Sequence, residues 1–423
     1  MRLRPFLLAL VLLTAYSVSA ETAQERAAKA GELVVLKNQR VLRLFGDNMK
    51  ERGFAHGYLL ADQMLESVEG ALQSLPNFGG DKFEKKLIPW AKEKFVYDAD
   101  AKAEFEGIWE GLVARVGADG LNSPTLKRKL TIDDLYGINA VPDYFGPGCS
   151  GFTVWGKLAS GGHVLHGRNL DFPIGGKAIA NQVVFAMDAL PKRGDLPARL
   201  AWVGVGWPGL TGAYSAMNAN GFVACIHDAY NSKDGGAKEG FMPRGMLLRR
   251  IIESVDPMGD EEPVKQALKL VNEKPVCGGN IFHLSWPTEA ATKHKTAPAA
   301  VLEFDSHCAE GPDAVGVRRQ DADGFLVVTN HFCVRCKPEE CGRFSRITDG
   351  IEAFAKGAKE IGVPDARKIL IGGEQEAAVN THTIVFSPDE RALQVAITRG
   401  NLMSTRVAGT NFTLKELFER ASK

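Results

Sequence analysis

The sequence lacks several features that mark large functional classes. Its 423 residues carry 51 basic and 51 acidic side chains, so the formal net charge is zero. Without a cationic excess, nothing favours a nucleic acid or an anionic membrane surface as a partner. No segment after residue 20 is apolar over the roughly 20 residues that a membrane-spanning helix needs, and the chain has no internal repeats. We therefore expect a globular chain with neither a nucleic-acid partner nor a membrane span.

The first 20 residues are typical of a secretory signal peptide. Arg2 and Arg4 form a basic start, a short apolar run follows, and small residues stand at −3 and −1 relative to a cut after Ala20. The apolar run is too short to span a bilayer as a helix. We expect residues 1–20 to be removed and the protein to be secreted or periplasmic.

Cysteine is scarce, and the first one stands far from the rest. The chain has seven cysteines: 149, 225, 277, 308, 333, 336 and 341. An exported chain meets oxidising conditions, where paired cysteines become disulfides. Because seven is odd, at least one thiol is left over or pairs between chains. Cys149 is the best candidate for that thiol, and the other six could form up to three bridges.

The hydrophobic pattern changes at Cys149. Residues 21–148 are predicted to be mostly helical, with a helix that has Thr131 as its N-cap and is ended by Pro142 and the Gly-Pro-Gly run at 146–148. After that run, short apolar or alternating segments bounded by glycines predict antiparallel strands. A helical block opening near Pro243 interrupts them. Strands on both sides of a helical block predict an α+β sandwich of two packed sheets with helices outside.

Cys149 would become a chain terminus if the bond before it were cut. A thiol is a useful nucleophile when a base stands beside it, and none of the nine histidines has a context that marks it as that base. A cut at Gly148–Cys149 would create an α-amino group with a pKa of about 7.7–8.0, able to take the proton of its own side chain. Gly148 leaves its carbonyl open to the Cys149 thiol. The cut could therefore be self-inflicted, through a thioester that water opens.

The segment GCSGFTVWGKLASGGHVLHGRNLDF resembles the start of the mature catalytic chain in the N-terminal nucleophile hydrolases. It is most similar to the cysteine branch containing acyl-coenzyme A:6-aminopenicillanic acid acyltransferase, with acid ceramidase, N-acylethanolamine amidase and the choloylglycine hydrolases as relatives. The family's Arg-Asn-x-Asp segment is matched by Arg168 and Asp171, and its later Thr-Asn pair by Asn330. An arginine about a dozen residues on is matched by Arg343, with Arg346 as the other candidate.

The resemblance implies a four-layer αββα sandwich of two antiparallel sheets flanked by helices, and a role for each matched residue. Cys149 would be the nucleophile and its amine the base. Arg168 would stabilise the thiolate, and Asp171 would orient the α-amino group. Asn330 would donate its amide to the oxyanion, and Arg343 would support the transition-state charge or orient the substrate. No cofactor and no metal is expected.

Geometry sets a condition on this arrangement. Arg168 can lie beside Cys149 only if the loop between their strands is broad, spanning roughly residues 156–162. A tight turn at 161–162 would pair Arg168 near Trp155, about 20 Å from the thiol. The prediction therefore requires the broad loop.

The predicted function is hydrolysis of linear C–N amide bonds in a small N-acyl substrate, by an exported enzyme that cuts itself into residues 21–148 and 149–423. The two fragments are expected to stay associated, because the first is helical with apolar faces. Transfer of the acyl group to an amine acceptor uses the same acyl-cysteine intermediate and stays open. A non-catalytic exported binding protein is a further alternative.

The segment NHFCVRCKPEEC raises the last alternative, a metal or redox protein. Its candidate ligands are His331, Cys333, Cys336 and Cys341. Their spacing is not a strong zinc signature, and an oxidising compartment favours a disulfide loop instead. Cys277 and Cys308 could likewise bridge.

Overall fold

A computed structural model describes the chain over residues 21–74, 80–146, 148–172, 174–194, 197–232, 240–273, 275–306, 315–319, 324–336, 340–374, 379–400 and 402–420. The predicted signal peptide and Cys308 lie outside these residues. No helix within them is long and apolar enough to cross a membrane.

The strands, in chain order, are β1 Gly31–Leu36, β2 Gln39–Leu44, β3 Asn122–Ser123, β4 Arg128–Lys129, β5 Gly148–Val154, β6 Leu165–Phe172, β7 Val183–Met187, β8 Trp202–Gly206, β9 Ser215–Asn218, β10 Val223–Asp228, β11 Asn280–Ser285, β12 Ala299–Phe304, β13 Gly316–Arg318, β14 Phe325–Val328, β15 Val379–Ser387, β16 Ala392–Ile397 and β17 Thr410–Thr413. The helices are α1 Ala23–Ala30, α2 Met49–Leu59, α3 Ala61–Ser74, α4 Gly80–Lys82, α5 Ile88–Lys94, α6 Ala99–Val116, α7 Ile132–Phe145, α8 Gly176–Ala180, α9 Arg244–Ser254, α10 Pro263–Val271, α11 Thr288–His294, α12 Gly342–Lys356, α13 Val363–Ile371 and α14 Leu414–Phe418.

The strands form two large sheets and one small hairpin. The larger sheet has the order β1-β2-β7-β8-β9-β10-β11-β12-β13, and the smaller has the order β14-β5-β6-β15-β16-β17. Adjacent strands are antiparallel except for β2 and β7, which pair in parallel. The prediction of two antiparallel sheets therefore holds apart from this one pair.

Buried apolar side chains join the sheets and helices into four layers. One core lies between the sheets, where Val203 and Val205 of β8 pack with Ile384 and Phe386 of β15. Helices α12 and α13 cover the outer face of the six-stranded sheet. Helices α9 and α10 pack in a cluster with strands β10 to β12 of the other sheet. The predicted αββα sandwich is confirmed.

Residues 21–148 contain a hairpin that the sequence analysis did not predict. Strands β1 and β2 are joined by Lys37 and Asn38, both with left-handed backbone angles (φ of 48° and 66°). Asparagine tolerates this conformation better than most residues. The hairpin supplies two of the nine strands of the larger sheet. This mostly helical segment therefore also takes part in the central layers.

Helices α2 and α6 pack unusually closely because glycines line their contact. A Cβ atom added at Gly57 would meet the backbone oxygen of Ile108, and one added at Gly111 would meet the oxygen of Phe54. The two backbones can approach this closely only because glycine has no side chain at these positions.

Helix α7 leads the chain to Cys149. Its N-terminus carries a capping box between Thr131 and Asp134, as the predicted N-cap requires. Pro142 lies inside the helix, so the prediction that it ends the helix is wrong. The helix continues to Phe145 and ends at Gly146, whose φ of 66° few other residues adopt readily.

Candidate active site

The β5–β6 hairpin brings Cys149 and Arg168 together. Cys149 pairs with Leu170 and Gly151 pairs with Arg168. Paired residues share a face of the sheet, so the Cys149 and Arg168 side chains both point towards the nine-stranded sheet. The pairing ends at Val154 and Leu165, and the ten residues between them include two short 3₁₀ turns. The broad loop that the prediction required is present.

The Cys149 thiol is fully buried in the uncleaved chain. Its Sγ donates to the carbonyl oxygen of Ile226 at 3.4 Å. Burial raises the pKa of the thiol, and the nearby Asp171 carboxylate adds to that rise; a hydrogen bond from Arg168 and the charges of Arg168 and Arg343 oppose it. Because burial prevails, the thiol is protonated at neutral pH and needs a base.

Arg168 is a fully buried cation held by neutral groups. Its Nε donates to Ser215 Oγ at 3.0 Å and its Nη1 to the carbonyl oxygen of Asn169 at 2.9 Å. No carboxylate in the described part of the chain forms an ion pair with it. A thiolate at Cys149 would supply the missing negative charge, which favours ionisation of the sulfur during a reaction.

Asn330 and Arg343 hold the backbone of Cys149. The Cys149 amide donates to Asn330 Oδ1 at 2.8 Å. Arg343 Nη2 donates to the same oxygen at 2.8 Å, and its Nη1 donates to the Cys149 carbonyl at 2.9 Å. The Asn330 amide nitrogen donates to the Asp228 carbonyl at 2.9 Å. Its role as an oxyanion donor therefore stays a prediction.

The second arginine candidate lies elsewhere. Arg346 Nε donates to the carbonyl oxygen of Gly372 at 2.8 Å, in an exposed position. Arg343 instead contacts Cys149 and Asn330, and its Nη1 lies 3.6 Å from Asp171 Oδ2. Of the two candidates, Arg343 is therefore the one that contacts Cys149 and Asn330, and its role in the reaction stays a prediction.

Asp171 lies opposite the proposed cleavage position. It pairs with Gly148 in the sheet, and its Oδ1 accepts from Asn380 Nδ2 at 2.8 Å. Its Oδ2 is buried without a hydrogen-bond partner in the described residues. Burial raises the pKa of this carboxyl to about 7, although Asn380, Arg343 and Arg168 act in the opposite direction. In the uncleaved chain the Cys149 nitrogen bonds to Asn330, so contact between Asp171 and a free amine stays a prediction.

Sequence reasoning missed Ser215 and His382, which support Arg168, and Asn380, which contacts Asp171. Ser215 Oγ lies 3.0 Å from His382 Nε2, and His382 Nδ1 lies 2.8 Å from Gln182 Oε1. Ser215 Oγ accepts from Arg168, so its hydroxyl donates to His382 Nε2. The proton of the neutral His382 ring therefore lies on Nδ1, which donates to Gln182 Oε1. Burial holds the pKa of His382 well below its usual value. Nothing in the local sequence of these residues signals that role.

An apolar pocket lies next to Leu170, which neighbours Cys149 in the sheet. Leu170, the partner of Cys149 in the sheet, lines it together with Phe172, and helices α3 and α7 complete the walls. Trp207 and Tyr214 close it from the side of the nine-stranded sheet. Its surface suits an apolar group.

Three of the cysteines that might have formed bridges are not bridged in the described part of the chain. Cys225, Cys333 and Cys341 form no disulfide there. The described part of the chain also contains no group of three or more histidine, cysteine or acidic side chains able to hold a metal ion. The predicted disulfide loop at 333–341 is therefore not formed in this structure.

No protein-family model matches the sequence, and no curated protein matches it. Solved structures do match the fold. They include the N-acylethanolamine-hydrolyzing acid amidase ortholog of Caenorhabditis elegans, with 12% identity, 57% of this chain and 93% of that chain covered, and a TM-score of 0.39. A mutant of the conjugated bile acid hydrolase from Clostridium perfringens matches with 13% identity, 64% and 95% coverage, and a TM-score of 0.41. Penicillin V acylase from Agrobacterium tumefaciens matches with 13% identity, 59% and 83% coverage, and a TM-score of 0.36. Each of these matches has an identity of 13% or lower and a TM-score below 0.5.

Proposed function

We propose that the protein is an exported amidohydrolase that activates itself by cutting the Gly148–Cys149 bond. The observation that carries the proposal is the set of polar contacts around Cys149. Asn330 and Arg343 hold its backbone nitrogen and oxygen, while Arg168 contacts its sulfur. Any buried residue needs partners for its backbone N–H and C=O groups, but a structural cysteine does not need an arginine at its sulfur and a second arginine at its carbonyl, and Cys149 has both.

In the cut, the Cys149 sulfur attacks the carbonyl carbon of Gly148. The S–C bond forms, the C–N bond breaks, and the thiol proton ends on the Cys149 nitrogen. Water then hydrolyses the thioester and leaves a carboxylate on Gly148. Asp171 faces Gly148 across the sheet with a pKa near neutrality, which suits a group that takes up and returns a proton during these steps.

The processed enzyme would use the same sulfur on an external amide. The new α-amino group takes the thiol proton as Cys149 attacks the substrate carbonyl. The amine product leaves with a proton, and water hydrolyses the acyl-cysteine. The apolar pocket beside Leu170 would receive the acyl group, so we propose an N-acyl amide with an apolar acyl group as the substrate.

The sheet pairing supports continued association of the fragments. Strand β2, which lies before the cut, pairs with β7, which lies after it, from Val41–Val184 to Leu44–Met187. Separating the fragments would break this ladder and expose Leu42 and Leu44, both fully buried. We therefore propose a two-fragment mature enzyme.

Intact-mass measurement of the purified protein tests the proposal. Wild type should yield two chains, the second beginning at Cys149, whereas Cys149→Ala should stay uncut. Cys225→Ala removes another fully buried thiol and should still be cut. Wild type should then release amine from a panel of N-acyl amides. An uncut wild-type chain that does not hydrolyse any amide would refute the proposal, and a new amide formed with added amine would indicate acyl transfer.

A further inference from the structure

The last turn of α7, just before the proposed cut, is held by a buried arginine. Asp143 lies in this turn, and α7 ends at Gly146. The backbone amide and Nε of Arg244 donate to Asp143 Oδ1 at 3.0 and 3.4 Å, and its Nη2 donates to the Asp143 carbonyl oxygen at 3.0 Å. Both residues are buried. Asp143 is therefore fixed through its carboxylate and through its main chain.

The same arginine joins α7 to the end of strand β10. Arg244 Nη1 forms an ion pair with Asp228 Oδ1, and both side chains are buried. Asp228 is the last residue of β10 and pairs with Asn280 of β11. Its carbonyl oxygen accepts from Asn330 Nδ2 at 2.9 Å. One guanidinium thus connects the helix before the cut to the strand end that contacts Asn330.

The backbone of Gly146 lies against the Asp228 carboxylate. A Cβ atom added at Gly146 would overlap Asp228 Oδ2. The Gly146 amide also donates to the Pro142 carbonyl oxygen at 3.1 Å, and its φ is 66°. Only a residue without a side chain fits this contact. In the sequence Gly146 is two residues before Gly148, whose carbonyl carbon the Cys149 sulfur would attack.

Both sides of the scissile bond are therefore held by contacts from outside its own strand. On one side, Asn330 and Arg343 bind the backbone nitrogen and oxygen of Cys149. On the other side, Arg244 binds the end of α7. A reaction within the chain depends on such positioning, because a displacement of about 1 Å can lower a rate about 100-fold.

We propose that Arg244 is a positioning residue for self-cleavage. It holds the end of α7 against Asp228, which keeps the Gly148 carbonyl carbon within reach of the Cys149 sulfur. In the cut the S–C bond forms, the C–N bond breaks, and the thiol proton passes to the Cys149 nitrogen, while Arg244 takes no part in proton transfer. Turnover of an external amide does not involve the segment before Cys149, so Arg244 serves maturation alone. This inference rests on the proposed self-cleavage.

Arg244→Lys tests the role, because lysine keeps the positive charge but lacks the planar fork that joins Asp143 to Asp228. The full chain is synthesised in a cell-free reaction, and the uncut fraction is followed over time on denaturing gels. The variant should be cut about 100-fold more slowly than wild type. Once cut, it should hydrolyse N-acyl amides at the wild-type rate per cut chain, because Asp228 stays in β10 through its pairing with Asn280.

Arg249→Lys is the matched control. Arg249 lies in the same helix as Arg244 and also pairs with two buried carboxylates, Glu104 and Glu253, but neither belongs to α7 or β10. Its loss should destabilise the fold and leave the rate of the cut at the wild-type value. Urea denaturation of both variants in a Cys149→Ala background measures how much each one destabilises the uncut chain.

Gly146→Ala tests the same contact without changing a buried charge. The added methyl group would push the end of α7 away from Asp228 and should slow the cut by a similar factor. Gly117→Ala is its control, because Gly117 also ends a helix with a φ of 69° but a Cβ there would meet nothing within 4 Å. Both alanines carry the cost of a positive φ, but only the one at residue 146 should slow the cut.

The outcomes separate this inference from the proposed function. A wild-type chain that is never cut would refute the proposed self-cleavage itself. If wild type is cut, equal rates for Arg244→Lys and Arg249→Lys, or for Gly146→Ala and Gly117→Ala, would overturn the positioning role of Arg244. If Arg244→Lys does not fold, the two glycine variants decide alone. A loss of amide turnover per cut chain as large as the loss in cutting rate would contradict a role in maturation alone.

Discussion

Arg343 donates to Asn330 Oδ1, the same atom that accepts the backbone amide of Cys149. Its other terminal nitrogen donates to the Cys149 carbonyl. One guanidinium therefore fixes both Cys149, the residue after the proposed cut, and the asparagine beside it. Lysine is a poor replacement, because its donors all lie on one nitrogen, whereas Arg343 makes these contacts with two nitrogens of a planar fork.

Arg343→Lys should slow self-cleavage and amide turnover about 100-fold, the scale expected when a positioned donor is lost at a reacting centre. Arg346→Lys is the matched control, because Arg346 contacts Gly372 on the surface, and it should change both rates less than twofold. The fraction of uncut chain, followed by intact mass over time, measures the effect. Equal rates for the two variants would contradict the assignment of Arg343.

Gly57→Ala should destabilise the protein through the contact between α2 and α6. The added methyl group would meet the backbone oxygen of Ile108, which cannot move aside without shifting a helix. We expect the free energy of unfolding to fall by about 1–3 kcal/mol. Urea denaturation of the variant in a Cys149→Ala background measures it.

Gly350→Ala is the control with the opposite sign. Gly350 lies inside α12, and a Cβ there would touch the Ile369 side chain at 3.5 Å, an ordinary contact. Helix propensity then favours alanine by about 1 kcal/mol. Similar losses for both variants would show that close packing is not the cause.

The candidate site was predictable where its residues lie near one another in the sequence. Cys149, Arg168 and Asp171 belong to one hairpin, and the loop between its strands fixes their pairing. Asn330 follows β14, the other neighbour of β5. Pairing of strands that are close in the sequence or adjacent to β5 therefore positions much of the candidate site.

The remaining contacts depend on long-range pairing that no local pattern encodes. Asn380 and His382 come from β15, whose register against β6 shifts between these two residues. The extra residue, Thr381, lets Asn380 contact Asp171 while His382 points to Ser215 on the other face. Simple alternation would put both on the same face. The parallel pairing of β2 with β7 was unpredictable for the same reason.

Ser215→Ala should weaken the support of Arg168. The substitution removes the acceptor of the Arg168 Nε hydrogen bond and the donor to His382. Ser215 thus acts as a positioning residue, and its loss should raise the pKa of the processed Cys149 thiol. We expect the pH profile of Cys149 alkylation to move upwards by about one unit, a tenfold lower rate at pH 7.

Ser285→Ala provides the comparison for this effect. Ser285 Oγ lies 2.9 Å from His166 Nδ1, so its loss breaks a buried serine–histidine contact without removing a partner of Arg168. The pH profile of Cys149 alkylation should stay unchanged in Ser285→Ala. A shift in both variants would point to general loosening of the core rather than to Arg168.

Asp171 should make the uncleaved protein less stable as pH rises. Its folded pKa of about 7 lies above the ordinary value of 3.8, so the folded state retains a proton that the unfolded chain has lost. Stability linked to this group is complete below about pH 4 and is lost as pH rises through 7. Urea denaturation of Cys149→Ala, with and without Asp171→Asn, isolates the contribution. The stability of the Cys149→Ala parent relative to the protein that also carries Asp171→Asn should fall by about 2–4 kcal/mol between pH 4 and pH 8. A constant offset from altered contacts with Arg343 or Asn380 cancels in this difference. If the difference in free energy of unfolding between these two proteins does not change with pH, the pKa of Asp171 is not raised. Asp171 would then not suit proton transfer at the proposed cut.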